Sequence, residues 1–275
     1  MSEPDEQRSS WERWYSLATT FVAPATFLSA LLFYFGYVSS RAELAYFGVD
    51  VDTVGLSTRD YVMRSPAALL VPALLLTTLG AAALLGSRFL GERLSPSVEQ
   101  WLRIGSYAAV AAALVLVASY RWTGAWAAYP MVTPLLLAAG VAVLAWLWHR
   151  TGTRRGAVAL AVLTVVTCLF WATATLAQWT GLGAGQRTAR NLDDLPAVVI
   201  DTKERLYLTD GVVSETALPQ EEDQSFRYRY RGLRLLIQAG DRMFLVPQQW
   251  TPAGSTLVVE LSDVRARFRF VNRRP

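Results

Sequence analysis

Charge is what this sequence has little of. Only 17% of its 275 residues are Asp, Glu, Lys or Arg, against about 25% in an ordinary soluble domain. It has one cysteine (Cys168), one histidine (His149) and one lysine (Lys203). A lone cysteine excludes an internal disulfide, so cysteine usage says nothing of the redox compartment. A lone histidine excludes catalytic or metal centres that need several imidazoles. The HExxH, nucleophile-elbow and phosphate-loop patterns are missing too. No cofactor is implied. The basic residues are almost all arginine, which in an alanine-rich chain reflects composition rather than a demand for guanidinium chemistry. The pI near 9.4 comes without a nucleic-acid-binding motif, so no nucleic-acid partner is expected.

The shortage of charge is uneven. Residues 16–180 hold long uncharged runs, and the last 95 residues or so read as an ordinary polar domain. A bilayer-spanning helix needs about 20 mostly apolar residues. Five segments meet that: about 16–38, 66–86, 104–120, 130–148 and 157–179. The first exceeds the apolar core of a signal peptide and follows an acid-containing N-terminal segment, so it reads as a span. Arginines in short loops set the orientation. With residues 1–15 in the cytoplasm, Arg8, Arg13, Arg88, Arg93, Arg103, Arg150, Arg154 and Arg155 lie inside, and Arg41, Arg59, Arg64 and Arg121 outside. Five spans then carry the C-terminus out of the cell. Trp122, Trp126 and Tyr129 form an aromatic belt at the outer interface.

No span carries Asp, Glu, Lys, Arg or His in its interior, which argues against ion pumping. His149 sits at the inner end of span four and reads as interfacial. Small residues recur at spacing four, as Gly105, Ala109 and Ala113 and as Thr164, Cys168 and Ala172, a pattern that lets helices approach closely. Pro72 predicts a kink in span two.

The outer loop "SSRAELAYFGVDVDTVGLSTRDYVMRS", residues 39–65, is the most motif-like stretch. The first helix is expected to continue through Tyr46 and end at Gly48. Ser57 with Asp60 forms a capping box for the next helix. Asp50 and Asp52 between them are weak candidates for a cation or polar-substrate site, because two carboxylates can share a hard cation. The alternative, a structural turn with solvated or Arg-paired acids, is the commoner use of such a pattern.

"YFGYVSSRAELAYFGVDVDTVGLSTRDYVMRS", with the later "YRYRGLRLL" and "FLVPQQW", resembles a group of uncharacterised multi-span membrane proteins from actinobacteria. The resemblance implies membrane spans followed by an extracytoplasmic β domain. It lends no catalytic residues.

Residues 181–194, "GLGAGQRTARNLDD", read as a Gly-rich linker. Extended segments follow at 197–201, 205–209, 225–231, 233–238, 242–247, 256–261 and 264–271, with "QAGDR" as a tight turn. The expected fold is thus an α-helical membrane protein of five spans followed by a small, mainly antiparallel β domain over 195–275. Arg227, Arg229 and Arg231 alternate with Phe226, Tyr228 and Tyr230, and Arg265, Arg267 and Arg269 with Ala266, Phe268 and Phe270. Period-two alternation puts each triplet on one side of its strand. If the strands share a sheet, they form a basic face. It is either balanced by Glu204, Glu215, Glu221, Glu222, Asp223 and Glu260 or open to anionic lipids or envelope polymers.

The function expected from these features is non-enzymatic: a multi-pass protein of the plasma membrane presenting a β domain for interaction, sensing or envelope assembly. Its partners would be the bilayer and other membrane proteins. One alternative is an enzyme acting on a lipid-linked substrate through Asp50 and Asp52. Another is a transporter or channel subunit.

Overall fold

The computed structural model describes residues 22–91, 95–124, 126–150, 155–208, 211–219 and 225–270. Seven α-helices are described: α1 Ala23–Tyr46, α2 Val51–Val54, α3 Thr58–Gly91, α4 Pro96–Ala118, α5 Tyr120–Thr123, α6 Tyr129–Arg150 and α7 Arg155–Arg190. A 3-10 turn, Leu192–Asp194, leads into six strands: β1 Ala197–Thr202, β2 Ser214–Ala217, β3 Tyr228–Ala239, β4 Arg242–Pro247, β5 Leu257–Glu260 and β6 Val264–Arg269.

Four of these helices are long and apolar enough to cross a membrane: α1, α4, α6 and α7 from Gly156 onward. No more than a third of the residues in any of their apolar windows is buried. A helix this apolar that leaves most of its surface uncovered is the kind that lipid solvates. Such helices suggest a membrane protein. The expected second span lies within α3, where the stretch Pro72–Ala82 is apolar.

The chain forms two compact units. One joins Met1–Pro66 to Trp179–Pro275, and the other is Ala67–Gln178. The first helix therefore belongs with the C-terminal sheet, together with the start of α3 and the end of α7. In the second unit α4 packs on α6. The small-residue seam is shifted from the one expected. A Cβ on Gly140 would press on Val110, Ala109 and the Ser106 carbonyl, whereas Gly105 faces open space. Ala113, Cys168 and Ala172 are buried as that reading anticipated.

The Gly-rich stretch read as a linker is helical through Arg190. Its glycines serve contact instead. A Cβ on Gly181 would strike the Ser39 carbonyl, and one on Gly185 would come within 2.9 Å of the Glu43 carbonyl. Removing the side chains lets α7 lie directly against the backbone of α1. Gly36 of α1 meets the Tyr61 carbonyl in the same way.

The sheet is antiparallel, in the order β5-β4-β3-β1-β6, with β2 also pairing the first half of β3. The segments 225–231 and 233–238 are one long strand from Tyr228, bulged at Gly232. Gly232 has φ +87°, a backbone state that glycine enters at no steric cost. The segment 205–208 is not a strand. Tyr207 has φ +49°, which breaks the extension, and the Leu206 N–H donates to the Tyr230 hydroxyl at 2.8 Å instead of to a neighbouring strand. Short, exposed β2 escaped the sequence reading because "SETA" has no apolar alternation. β1, β4, β5 and β6 lie where expected, to within two residues at either end.

Two apolar clusters hold the first unit. On one face of the sheet lie Val198, Ile200, Tyr230, Leu233, Met243, Leu245, Val259 and Val264. On the other, Ile237, Phe244, Val246 and Trp250 meet Leu44, Phe47, Val49, Val51, Val54, Tyr61 and Leu192. The second cluster packs the end of α1 and the segment that follows it onto the sheet.

Candidate functional site

The segment between α1 and α3 is a docking element. α1 closes with a Schellman arrangement in which the Gly48 N–H donates to the Ala45 carbonyl and Val49 to Leu44. Gly48, at φ +72°, is the glycine the sequence marked. The chain then turns through α2 and enters α3 by the expected capping box. The Ser57 N–H and hydroxyl donate to Asp60 Oδ2 at 2.9 and 2.7 Å, and the Asp60 N–H donates back to Ser57 Oγ at 3.3 Å. Those hydrogen bonds hold the Asp60 carboxyl below its ordinary pKa. Between them the valines of "GVDVDTVG" face inward. Val49, Val51 and Val54 are buried against the sheet.

That alternation decides what the two acids do. Asp50 caps α2, accepting from the Asp52 N–H at 3.2 Å. Asp52 accepts from the Tyr37 hydroxyl at 3.2 Å. Each carboxylate is used locally and exposed. Nearby, Arg64 approaches Glu43 at 3.5 Å. Among the described residues no group of three His, Cys, Asp or Glu side chains is placed to hold a metal.

Trp250 is the residue of this region that sequence reasoning missed. It lies in the polar loop "PQQWTPAGS", which offers no periodicity, yet its ring is buried against Phe47 at 4.8 Å and Tyr46 at 5.6 Å between centroids. A single large aromatic in an otherwise polar loop was the available signal. Next to it, the Thr256 hydroxyl donates to the Phe47 carbonyl at 2.7 Å.

The arginine strands do share a face. β1 lies between β3 and β6, and residues directly opposite in a ladder project to the same side. Asp201 stands opposite both Arg229 and Arg265, Val199 opposite Arg267, and Ala197 opposite Arg269. Arg231 follows Arg229 on the same side of β3, as their partners Ser214 and Thr216 on β2 show. Arg227 immediately precedes the strand, its N–H donating to the Thr202 carbonyl at 2.9 Å. The two triplets are separated by a whole strand, about 10 Å, which reduces their mutual repulsion.

The acid that answers them is one the sequence did not single out. Asp201 is almost fully buried beneath the arginines. It accepts two bonds from Arg229, at 2.7 and 3.0 Å, and one from Arg267 at 2.9 Å. The Arg229 hydrogen bonds, with the charges of both arginines, hold its carboxyl below the ordinary range against the opposing effect of burial. Of the expected counter-ions, Glu215 and Glu260 are engaged elsewhere, and Glu204 is exposed and makes no ion pair among the described residues. Glu215 pairs with Arg205, and Glu260 with Arg242. Glu221, Glu222 and Asp223 fall outside the described residues. Arg227, Arg231, Arg265 and Arg269 are exposed and make no ion pair among the described residues. Arg265 lies over the Phe226 ring at 5.0 Å.

The basic face is continuous with the docking face. The bulge at Gly232 shifts the parity of β3, so Arg234 stands opposite both Ala197 and Val246. One row across the sheet therefore runs Val246, Arg234, Ala197, Arg269. Val246 is in the core formed with α1 and the segment that follows it. Arg234 is buried at the junction, bonded to Asp193 at 2.7 Å and to the Leu195 carbonyl at 3.0 Å. Beyond it the face is open and basic.

Comparison with protein-family models, with curated proteins and with solved structures finds no match.

Proposed function

We propose that this chain is a five-span protein of the plasma membrane that presents a β domain, mounted on its first span, outside the cell for interaction, sensing or envelope assembly. The observation that carries this reading is the shared core of Leu44, Phe47, Val49, Val51, Val54 and Tyr61 with Ile237, Phe244, Val246 and Trp250. A tethered domain would need no such core. This one is held at the end of an apolar helix, so a load or ligand on the sheet acts on α1 directly. The four apolar helices support the membrane assignment. The uncharged 66–86 segment and the arginine asymmetry of the loops support five spans with the N-terminus inside.

An enzyme working through Asp50 and Asp52 has no geometric support, since one carboxylate caps a helix and the other holds a tyrosine. Reporter fusions after Pro275 test the placement. A reporter active only after export should be active, and one active only in the cytoplasm should be silent. The reverse result refutes the topology. Purification of the intact chain in mild detergent, with the retained lipid, polymer and protein identified, tests the interaction reading. Recovery of the chain alone would count against it.

A further inference from the structure

We propose that the open half of the sheet face, Arg227, Arg231, Arg265 and Arg269 with Arg267 beside them, docks on the phosphate headgroups of anionic phospholipids in the membrane that α1 enters. The inference rests on α1 being a span, which the reporter fusions test separately. Three observations carry it. First, Arg229, Arg231, Arg265, Arg267 and Arg269 stand on this face by strand register beside the buried Arg234, with Arg227 at its edge, and the buried Asp201 carboxylate is bonded to Arg229 and Arg267. Second, that carboxylate is saturated by Arg229 and Arg267, so four guanidinium groups remain exposed and unpaired among the described residues. Third, this is the same face of the sheet that packs on the end of α1, as the row Val246, Arg234, Ala197, Arg269 shows. The face that carries the charge is thus the one turned toward the apolar helix, not away from it.

Guanidinium suits this occupant. It stays charged at any working pH and offers paired N–H donors that match phosphate oxygens. A headgroup layer spreads its negative charge over a surface, as the arginines spread theirs over two strands a strand apart. Each basic residue near an anionic membrane strengthens binding by about fivefold at modest salt. The attraction fades as the screening length falls from about 10 Å at 0.1 M to about 3 Å at 1 M salt.

The test uses the full chain in neutral detergent or in nanodiscs, because the sheet shares its core with α1. The anionic-over-neutral preference is measured by competing phosphatidylglycerol against phosphatidylcholine for retention by the protein. The wild type should prefer the anionic lipid, and the preference should shrink at 1 M salt. Arg265→Gln with Arg269→Gln should lower it by at least about tenfold. The lysine pair at the same positions should retain most of it. All variants should unfold at the wild-type temperature, since none removes an Asp201 bond. Equal retention of both lipids, or a preference unmoved by the glutamine pair, overturns the proposal. So does capture of a soluble anionic polysaccharide without lipid preference, which would assign the face to an envelope polymer.

Discussion

Asp201 is where the arginine strands converge, and its environment makes a pH prediction. Its folded pKa is depressed, chiefly by the hydrogen bonds from Arg229. A depressed carboxylate stabilises the fold above its unfolded value, about 3.9, and loses that contribution as pH falls through the folded value. Asp60, held down by Ser57, adds an effect of the same sign. Thermal unfolding of the intact chain should therefore vary little on this account from neutral pH down to about 4, and then fall. Asp201→Asn should cost about 1–3 kcal/mol at neutral pH, because it removes the charged acceptor shared by two guanidiniums. It should also flatten the acid limb. An acid limb that is unchanged in the variant would show that other carboxylates govern it. Asp50→Asn with Asp52→Asn should leave expression and stability near wild type. Asn caps a helix as well as Asp does, and its carbonyl still accepts from the Tyr37 hydroxyl. A folded double variant that loses a cellular phenotype would instead indicate a cation or substrate at the loop.

At the scale of elements, the joint between α1, α7 and the sheet is built by deletion and by insertion. Glycines remove side chains where helix backbones touch, and Trp250 inserts a ring where the loop meets the sheet. Trp250→Ala should cost about 3–5 kcal/mol and open residues 47–61 to limited proteolysis. A wild-type digestion pattern would show that the loop is held without the ring. Gly181→Ala should destabilise by about 1–3 kcal/mol through overpacking against Ser39. Gly183→Ala, two residues on, meets nothing within 4 Å and should be neutral or slightly stabilising, because alanine favours helix. Similar effects at the two positions would rule out the close approach.

At the scale of the molecule, the sheet does not own its core. Of the cluster on the docking face, Leu44, Phe47, Val49, Val51, Val54 and Tyr61 come from the first quarter of the chain. Residues 195–275 produced alone should therefore melt lower and bind a hydrophobic dye. Adding residues 36–66 in cis should raise the melting temperature and suppress dye binding. An isolated C-terminal domain as stable as the full chain would show that the shared core contributes nothing.

The sequence by itself determined what depends on local pattern. The apolar runs, the Schellman glycine Gly48, the Ser57–Asp60 box and four of the six strands follow from composition, capping chemistry and period-two alternation, which act over a few residues. The shared face of the arginine strands was legible only as a condition. Each triplet's alternation is local, but their coincidence required β1 to pair with both strands. Tertiary structure alone decided that Asp201 is their counter-ion, that "GLGAG" is helix rather than linker, and that Trp250 is core. Each of these depends on partners distant in sequence: Asp201 on Arg267, 66 residues away, Gly181 on Ser39, and Trp250 on Phe47. A contact of that kind leaves no period in either stretch, because its energy arises only once the chain has brought the two together.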